Sequence, residues 1–172
     1  AGLSSFVVLS AARDVDNPDL NALAAERLYS PRAEGGMGYS LADGIAQLLA
    51  HFGAEPADCL AADNPKQLPA AVLLMPADLP LLRISSIRKV AEQAAEGAIV
   101  VPRCAGRQGH PVAFGRHFWP ALTQLRGDVG AKKLIAAQSL PPHYVDVDDP
   151  GIFSDADTSD RMRELFGRLS PP

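Results

Sequence analysis

The stretch AVLLMPADLP, residues 71–80, is the part of the sequence that decides the fold. Its first five residues are all apolar, and Pro69 and Pro76 bound them, which is typical of a strand covered on both faces by helices. Asp78 follows this strand directly. Because open α/β folds bind ligands beyond the carboxyl ends of their strands, Asp78 is a candidate metal ligand.

Length and composition limit the classes of protein to consider. The chain has 172 residues, of which 47% are hydrophobic and 21% charged, and this predicts one domain over residues 1–172. A net charge of −4 argues against a nucleic-acid partner, which needs clustered Lys and Arg. We expect no membrane partner and a cytoplasmic location, because no apolar run is long enough to cross a bilayer. Cys59 and Cys104 lack neighbours at metal-ligand spacing, which predicts reduced thiols.

Predicted strands and helices alternate along the chain. The strands are expected at 5–10, 71–75, 98–101, 111–114 and 144–147. The helices are expected at 19–27, 40–52, 85–96, 117–125 and 131–137, with a closing amphipathic helix that contains Met162, Leu165 and Phe166. Residues 29–38 and 53–69 are expected to be loops. This alternation predicts an α/β fold, with a three-layer, mainly parallel, Rossmann-like sheet and helices on both faces.

Two carboxylates, Asp78 and Asp157, each come after a predicted strand. A Mg²⁺ ion that holds a triphosphate binds one or two carboxylates together with phosphate oxygens and water. We therefore expect Asp78 and Asp157 to be metal ligands and to be catalytic. Aspartates at strand ends also cap turns and helices, so the pattern leaves this structural role open.

A glycine-rich segment, GGMGYS at residues 35–40, leads into the second predicted helix. Glycines at such a position let a ligand approach backbone N–H groups at the positive end of the helix dipole. The candidate nucleotide-binding residues are Gly36, Met37, Gly38 and Ser40. A plain turn into a helix that Ser40 and Asp43 help to start explains the same pattern.

Two further segments place polar side chains beside predicted elements. Gly109 and His110 precede the strand at 111–114, and Lys132 lies in the first turn of a predicted helix, where the helix dipole disfavours a cation. A lone histidine is more often a surface or structurally satisfied residue than a catalytic one. An exposed helix start would equally explain the lysine.

Taken in order along the chain, five short segments resemble the molybdenum cofactor cytidylyltransferase-like, or MobA-like, NTP transferase family. The segments are 36–41, 75–80, 109–112, 127–131 and 155–158. The resemblance extends from about residue 1 to residue 169 and implies a nucleotide-diphospho-sugar transferase-like fold. In this family, CTP or GTP reacts with the phosphate of a pterin cofactor, and pyrophosphate is released.

The resemblance implies a role for each candidate residue. Asp78 and Asp157 resemble the Mg²⁺-binding, catalytic carboxylates. The residues similar to those that line the nucleobase are Gly36, Met37, Gly38 and Ser40. The residues similar to those that meet the molybdopterin-type substrate are Gly109, His110 and Lys132. The implied partners are CTP or GTP, the molybdopterin-type substrate, and either a second copy of the chain or a molybdoenzyme or chaperone.

The chain also departs from the family pattern. Family members start with a strand and a glycine-rich loop that holds the triphosphate, and this sequence contains no such loop. We therefore expect the domain to be N-terminally incomplete here, or completed by self-association, and the chain alone to be a poor catalyst. Two alternatives stay open: a non-catalytic nucleotide- or partner-binding module on the same fold, and a nucleotidyltransferase for another phosphorylated metabolite.

Overall fold

The computed structural model describes residues 6–10, 24–64 and 66–155. The strands within them are β1 Phe6–Ser10, β2 Glu26–Ser30, β3 Ala71–Leu74, β4 Ile99–Cys104, β5 Arg107–Gln108, β6 Val112–Gly115 and β7 His143–Asp146. The α-helices are α1 Met37–His51, α2 Ile84–Glu92, α3 Trp119–Leu122 and α4 Lys132–Ala136. Short 3-10 helices lie at Ala33–Gly35, Pro56–Leu60, Arg116–Phe118 and Pro150–Phe153. None of the helices in these ranges is long and apolar enough to cross a membrane.

The described residues form two compact units. Unit 1 contains those up to Leu68 together with His117–Leu140, and unit 2 contains Pro69–Arg116 together with those from Pro141 onward. Both units combine strands with helices, and the sheet of unit 2 is mixed. The α/β fold class is therefore confirmed, while the single domain over residues 1–172 stays a prediction.

Unit 1 is built on a parallel pair of strands and one long helix. β1 and β2 run side by side, with Val8 opposite Leu28 and Ser10 opposite Ser30. α1 contacts both strands and buries the apolar face that the sequence predicted. The buried hydrophobic residues of this face are Ala42, Ile45, Leu48 and Leu49.

β2 stands where the sequence predicted the end of a helix and the start of a loop. Glu26 and Arg27 were expected in the helix 19–27, and Tyr29 in the loop that follows, but all three belong to β2. Residues 19–23 lie outside the described residues. The strand state depends on pairing with β1, and a local pattern of side chains does not reveal such a tertiary interaction.

The segment 53–69 is more regular than the exposed connection that the sequence predicted. It contains the 3-10 helix Pro56–Leu60, whose Cys59 is fully buried. The backbone N–H of Glu55 donates to the Asp58 carboxylate at 2.8 Å, as one half of a capping box. This reciprocal capping stabilises a short helical turn within a proline-rich segment.

α1 begins at Met37, before the start that Ser40 and Asp43 predicted. Gly36 is its N-terminal flanking residue and has a φ of 111°, a conformation that glycine adopts readily and other residues rarely do. Asp43 lies within the helix, and its carboxylate is hydrogen-bonded to Ser30 and Arg32 instead of to the helix start. The expectation that Ser40 and Asp43 form the helix start is therefore wrong.

The polar face of α1 is bonded to the end of β2. The buried Asp43 carboxylate accepts hydrogen bonds from Ser30 Oγ at 2.7 Å and from Arg32 Nε at 3.0 Å. The side-chain amide of Gln47 accepts from the backbone N–H of Tyr29 at 3.1 Å and donates to its carbonyl at 2.7 Å. Burial alone would raise the pKa of Asp43, but the hydrogen bonds from Arg32 and Ser30 outweigh it and hold that pKa below its ordinary value.

Substituting Asp43 tests this link. The free energy of unfolding of the Asp43→Asn variant is expected to be about 2 kcal/mol lower at pH 7, because charge-assisted hydrogen bonds are lost. Since the pKa of Asp43 is lowered by folding, its contribution is present above the unfolded-state value of about 4 and is lost as the pH falls through the folded-state value. Urea unfolding at pH 7 and pH 3 should therefore show a difference from the unsubstituted protein that shrinks in acid.

Asp63→Asn provides the matched control, since Asp63 is an exposed aspartate of the same unit. It should leave the free energy of unfolding within about 0.5 kcal/mol of the unsubstituted value at both pH values. Equal losses in the two variants would contradict a specific role for Asp43.

Unit 2 contains a mixed sheet. Its strands follow the order β3, β6 and β4, with β7 on the other side of β4 and the short β5 paired with the end of β4. β6 runs antiparallel to both β3 and β4, whereas β7 is parallel to β4. β3, β4 and β7 therefore share one direction, and β6 is the reversed strand between two of them.

α2 packs against the centre of this sheet. The buried core consists of Val90 from α2, Val100 from β4 and Ala113 from β6, all with no exposed surface. β3 is only half-buried, because it lies at the edge of the described part of the sheet, and Met75 after it is 54% exposed. The prediction that this strand is covered on both faces is wrong for the residues described.

Most other predicted elements are present with shifted ends. Strands expected at 5–10, 98–101, 111–114 and 144–147 correspond to β1, β4, β6 and β7, and helices expected at 85–96 and 131–137 correspond to α2 and α4. The helix expected at 117–125 is limited to Arg116–Phe118 and Trp119–Leu122. The closing helix with Met162, Leu165 and Phe166 lies outside the described residues.

Candidate functional site

Asp78 lies in the loop that follows β3, as the sequence predicted. The residue as a whole is half-buried, but its Oδ1 atom is fully buried and has no hydrogen-bond partner in the described part of the chain. A buried carboxylate oxygen without a partner is unfavourable unless a cation or a ligand contacts it. Asp78 therefore has a free acceptor at the end of a strand.

His110 is brought next to Asp78 by the antiparallel pairing of β3 and β6. Leu74, the last residue of β3, is opposite Val112, the first residue of β6, so the loop after one strand meets the loop before the other. The charge of Asp78 acts on the His110 ring, and the ring is hydrogen-bonded to the backbone of Leu74. Two of the predicted site residues thus lie together in unit 2.

Burial favours the neutral form of the His110 ring. Burial lowers its pKa from the usual value, and this outweighs the hydrogen bond to Leu74 and the charge of Asp78, which both act to raise it. Its Nδ1 atom is fully buried and, among the described residues, has no hydrogen-bond partner. A buried ring nitrogen without a partner is unfavourable unless a ligand contacts it.

The turn Pro150–Phe153 holds the backbone of Gly109 and His110. The N–H of His110 donates to the carbonyl of Ile152 at 2.7 Å, and the N–H of Gly109 donates to Pro102 at 3.0 Å. A Cβ atom at Gly109 would overlap the Ile152 carbonyl, so glycine is required there by close packing. The backbone is thus fixed at the point where the His110 side chain leaves it.

Asp149, which was not among the predicted site residues, holds the turn Pro150–Phe153 in place. Its carboxylate is 2% exposed. It accepts hydrogen bonds from the backbone N–H of Arg83 at 3.0 Å, from Ser86 Oγ at 2.6 Å and from the backbone N–H of Gly151 at 2.9 Å. The sequence Asp-Pro-Gly after a predicted strand is a capped-turn signal that could have identified it.

The glycine-rich segment forms a second group of predicted site residues, in unit 1. The N–H of Gly38 donates to the carbonyl of Gly127 at 2.8 Å, and a Cβ at Gly38 would lie 2.8 Å from the carbonyl oxygens of both Arg126 and Gly127. A Cβ at Gly36 would likewise overlap Gly127 and Asp128. Contact with the segment 126–128 therefore explains both glycines without a ligand.

Two exposed arginines lie beside Tyr39, near the start of α1. Met37 is 57% exposed, and Ser40 is half-buried. The guanidinium groups of Arg32 and Arg126 lie over the Tyr39 ring, at 5.0 and 5.7 Å from its centre. Lys132 is exposed and is the first residue of α4, as predicted.

Only one of the two predicted metal ligands, Asp78, lies within the described residues. Asp157 lies outside the described residues, so its approach to Asp78 stays a prediction. Within residues 6–10, 24–64 and 66–155, no group of three or more His, Cys, Asp and Glu side chains could hold a metal ion. A cation at Asp78 would therefore need further ligands from outside this range, from substrate phosphates or from water.

Solved structures with the same fold come from mycobacteria. The crystal structure of Rv0371c from Mycobacterium tuberculosis H37Rv matches with a TM-score of 0.69 and 22% identity, over 97% of this chain and 78% of that chain. The Rv0371c complex with manganese gives the same score and identity, over 97% and 79%. The homologue from Mycobacterium sp. strain JC1 gives 0.67 and 22%, over 97% and 77%.

The family is shown by a match at the level of sequence. The comparison with curated proteins gives no match. Residues 1–143, most of the chain, match the family model described as the MobA-like NTP transferase domain. Four of the five segments on which the resemblance was based lie within this range, namely 36–41, 75–80, 109–112 and 127–131, whereas 155–158 lies beyond it. The chain therefore belongs to the MobA-like NTP transferase family.

Proposed function

We propose that the protein transfers a nucleoside monophosphate from CTP or GTP to the phosphate of a molybdopterin-type cofactor. A phosphate oxygen of the acceptor attacks the α-phosphorus of the nucleotide, the bond to the β-phosphate breaks, and pyrophosphate leaves. Membership of the MobA-like NTP transferase family supports the reaction class. The choice of CTP or GTP and of the acceptor rests on the resemblance of the sequence segments described above.

The unpaired Oδ1 atom of Asp78 is the observation that carries this proposal. It is a buried anionic oxygen with no partner in the described residues, at the end of a strand, and it fits a divalent cation. We propose Mg²⁺ as the ion and Asp157 as the second carboxylate. The manganese complex of the similar Rv0371c supports a divalent metal. Such an ion would neutralise charge on the reacting phosphates.

The other candidate residues have supporting roles in the proposed reaction. Gly36, Met37, Gly38 and Ser40 lie at the N-terminus of α1, where the helix dipole favours an anionic or electron-rich ligand. The positive charge of Arg126 beside Tyr39 favours the same kind of ligand, whereas the charge of Arg32 is paired with Asp43. We assign the nucleotide to this region of unit 1.

The acceptor is assigned to Gly109, His110 and Lys132. The cationic, exposed Lys132 side chain suits a phosphate group. In phosphoryl transfer the protein mainly positions the reactants and stabilises charge, so no protein nucleophile is needed in this scheme. A second copy of the chain, or a molybdoenzyme or chaperone, is the proposed protein partner.

Nucleotidyl transfer can be measured directly on the natural full-length protein. It should be incubated with each of the four nucleoside triphosphates, MgCl₂ and a molybdopterin-type acceptor. We expect pyrophosphate release with CTP or GTP that depends on the acceptor, and a product whose mass equals that of acceptor plus nucleoside monophosphate minus one water. Reactions without acceptor serve as the control.

Three results would contradict the proposal in different ways. Nucleotide binding without pyrophosphate release would indicate a non-catalytic binding module. Release with another phosphorylated metabolite, but not with the molybdopterin-type acceptor, would replace the acceptor and keep the reaction class. Pyrophosphate release without metal would remove the role given to Asp78.

A further inference from the structure

Two buried atoms without hydrogen-bond partners face the same end of the unit 2 sheet. They are Oδ1 of Asp78, after β3, and Nδ1 of His110, before β6. Both are fully buried and unpaired within the described part of the chain, and the two side chains are close enough to interact electrostatically. No hydrogen bond joins these two atoms in the structure, so neither satisfies the other.

The His110 side chain is fixed in the way that metal-binding histidines are fixed. Hydrogen bonding to the backbone of Leu74 acts on its ring, and its backbone N–H donates to the carbonyl of Ile152 at 2.7 Å. Histidines that bind metals nearly always donate their second ring N–H to a carbonyl, a carboxylate or water. The Nδ1 atom is therefore held in a buried position instead of being free to turn to solvent.

We infer that Nδ1 of His110 is a direct ligand of the divalent cation that Asp78 binds. The inference rests on the proposed function for the presence of the cation, and it adds a metal-binding role for His110 to its proposed place beside the acceptor. A divalent cation satisfies a carboxylate oxygen and a ring nitrogen at once. Carboxylates, phosphate oxygens and water would complete its coordination.

A nitrogen ligand changes which metal the site prefers. Mg²⁺ binds oxygen ligands and keeps much of its water, whereas first-row transition ions bind imidazole as well as carboxylate. The site is therefore expected to bind Mn²⁺ more tightly than Mg²⁺. The His110→Ala variant should lose about tenfold or more in Mn²⁺ affinity and little in Mg²⁺ affinity.

The test uses Mn²⁺ itself, whose electron paramagnetic resonance reports on its ligands. The natural full-length protein, without nucleotide, is titrated with Mn²⁺, and the bound ion is examined for nitrogen hyperfine coupling. Labelling the histidines with ¹⁵N identifies a directly bound imidazole. We expect this coupling in the unsubstituted protein and in His143→Ala, and its loss in His110→Ala. His143 is a matched control because it is an exposed histidine of the same unit.

The spectrum of the unsubstituted protein decides the question even if His110→Ala fails to fold. Bound Mn²⁺ without histidine nitrogen coupling would overturn the inference, and so would the absence of Mn²⁺ binding. Coupling that persists in His110→Ala would move the ligand to another histidine and also overturn it. Histidine coupling in a protein that transfers no nucleotide would leave the metal site standing and contradict only the proposed reaction.

Discussion

The Asp78→Asn variant is expected to transfer nucleotide about 100-fold more slowly than the unsubstituted protein, or slower. The amide has nearly the same shape as the carboxylate but carries no charge, so it binds a divalent cation weakly. The buried, unpaired Oδ1 atom makes this loss large, because no neighbouring group in the described residues is bonded to it. Initial rates of pyrophosphate release at saturating nucleotide and metal would measure the effect.

Asp148→Asn is the control for this substitution. Asp148 is an exposed aspartate of the same unit, and the same change of charge there should alter the rate less than about twofold. Circular dichroism spectra of the two variants should agree with that of the unsubstituted protein. Full activity of Asp78→Asn would remove Asp78 from the reaction.

The Asp149→Ala variant is expected to lower the free energy of unfolding by about 3–5 kcal/mol. The substitution leaves the N–H groups of Arg83 and Gly151 and the hydroxyl of Ser86 without their acceptor, in a place that is 2% exposed. Urea unfolding would measure the loss. Hydrogen exchange of the amides in β4 and β7 would give a second, independent measure of it. Asp148→Ala should change the value by less than about 0.5 kcal/mol.

The effect of Asp149 should also reach His110. The Asp149 carboxylate fixes the turn Pro150–Phe153, and the carbonyl of Ile152 in that turn accepts the His110 N–H. Ser86→Ala removes one of the three hydrogen bonds and should cost about 1 kcal/mol, so the variant remains folded. We expect its His110 ring proton resonances to shift while those of the exposed His143 stay in place. Unchanged His110 resonances in Ser86→Ala, with Asp149→Ala as stable as the unsubstituted protein, would contradict this role.

The parts of the fold that depend on local patterns could be predicted from the sequence. The apolar run before Asp78 gave a strand, β3, with Asp78 after it, and the residues around Ile45 and Leu48 gave α1. In both, the hydrophobic spacing within one element carries the information. The α/β fold follows from the order of such elements along the chain.

Features that depend on pairing between distant segments could not be predicted. β2 forms because β1 lies beside it, and β6 runs against its neighbours although its sequence resembles that of a parallel strand. The half-burial of β3 follows from its position at the sheet edge, which its composition does not indicate. Strand direction and position are tertiary properties.

In the candidate site, too, local features could be predicted from the sequence and contacts between distant segments could not. Asp78 was selected because it follows a buried strand, and His110 because it precedes one, but their proximity depends on the antiparallel pairing of β3 and β6. Two of the three donors to Asp149 come from Arg83 and Ser86, which are distant in sequence, so only the local Asp-Pro-Gly turn could have indicated its role. Gly36 and Gly38 were interpreted as ligand contacts, yet the structure shows them against the backbone of residues 126–128.

The hydrogen bonds of the Gln47 amide are expected to limit association between copies of this protein at high concentration. Exposed strand edges offer free N–H and C=O groups on which a neighbouring molecule can add a strand, the first step of many aggregates. Both backbone groups of Tyr29 are already occupied by the Gln47 side chain, at 3.1 and 2.7 Å. At this point of β2, a foreign strand would have to displace a helix-borne side chain before it could join, and α1 thereby protects the edge of the strand it packs on.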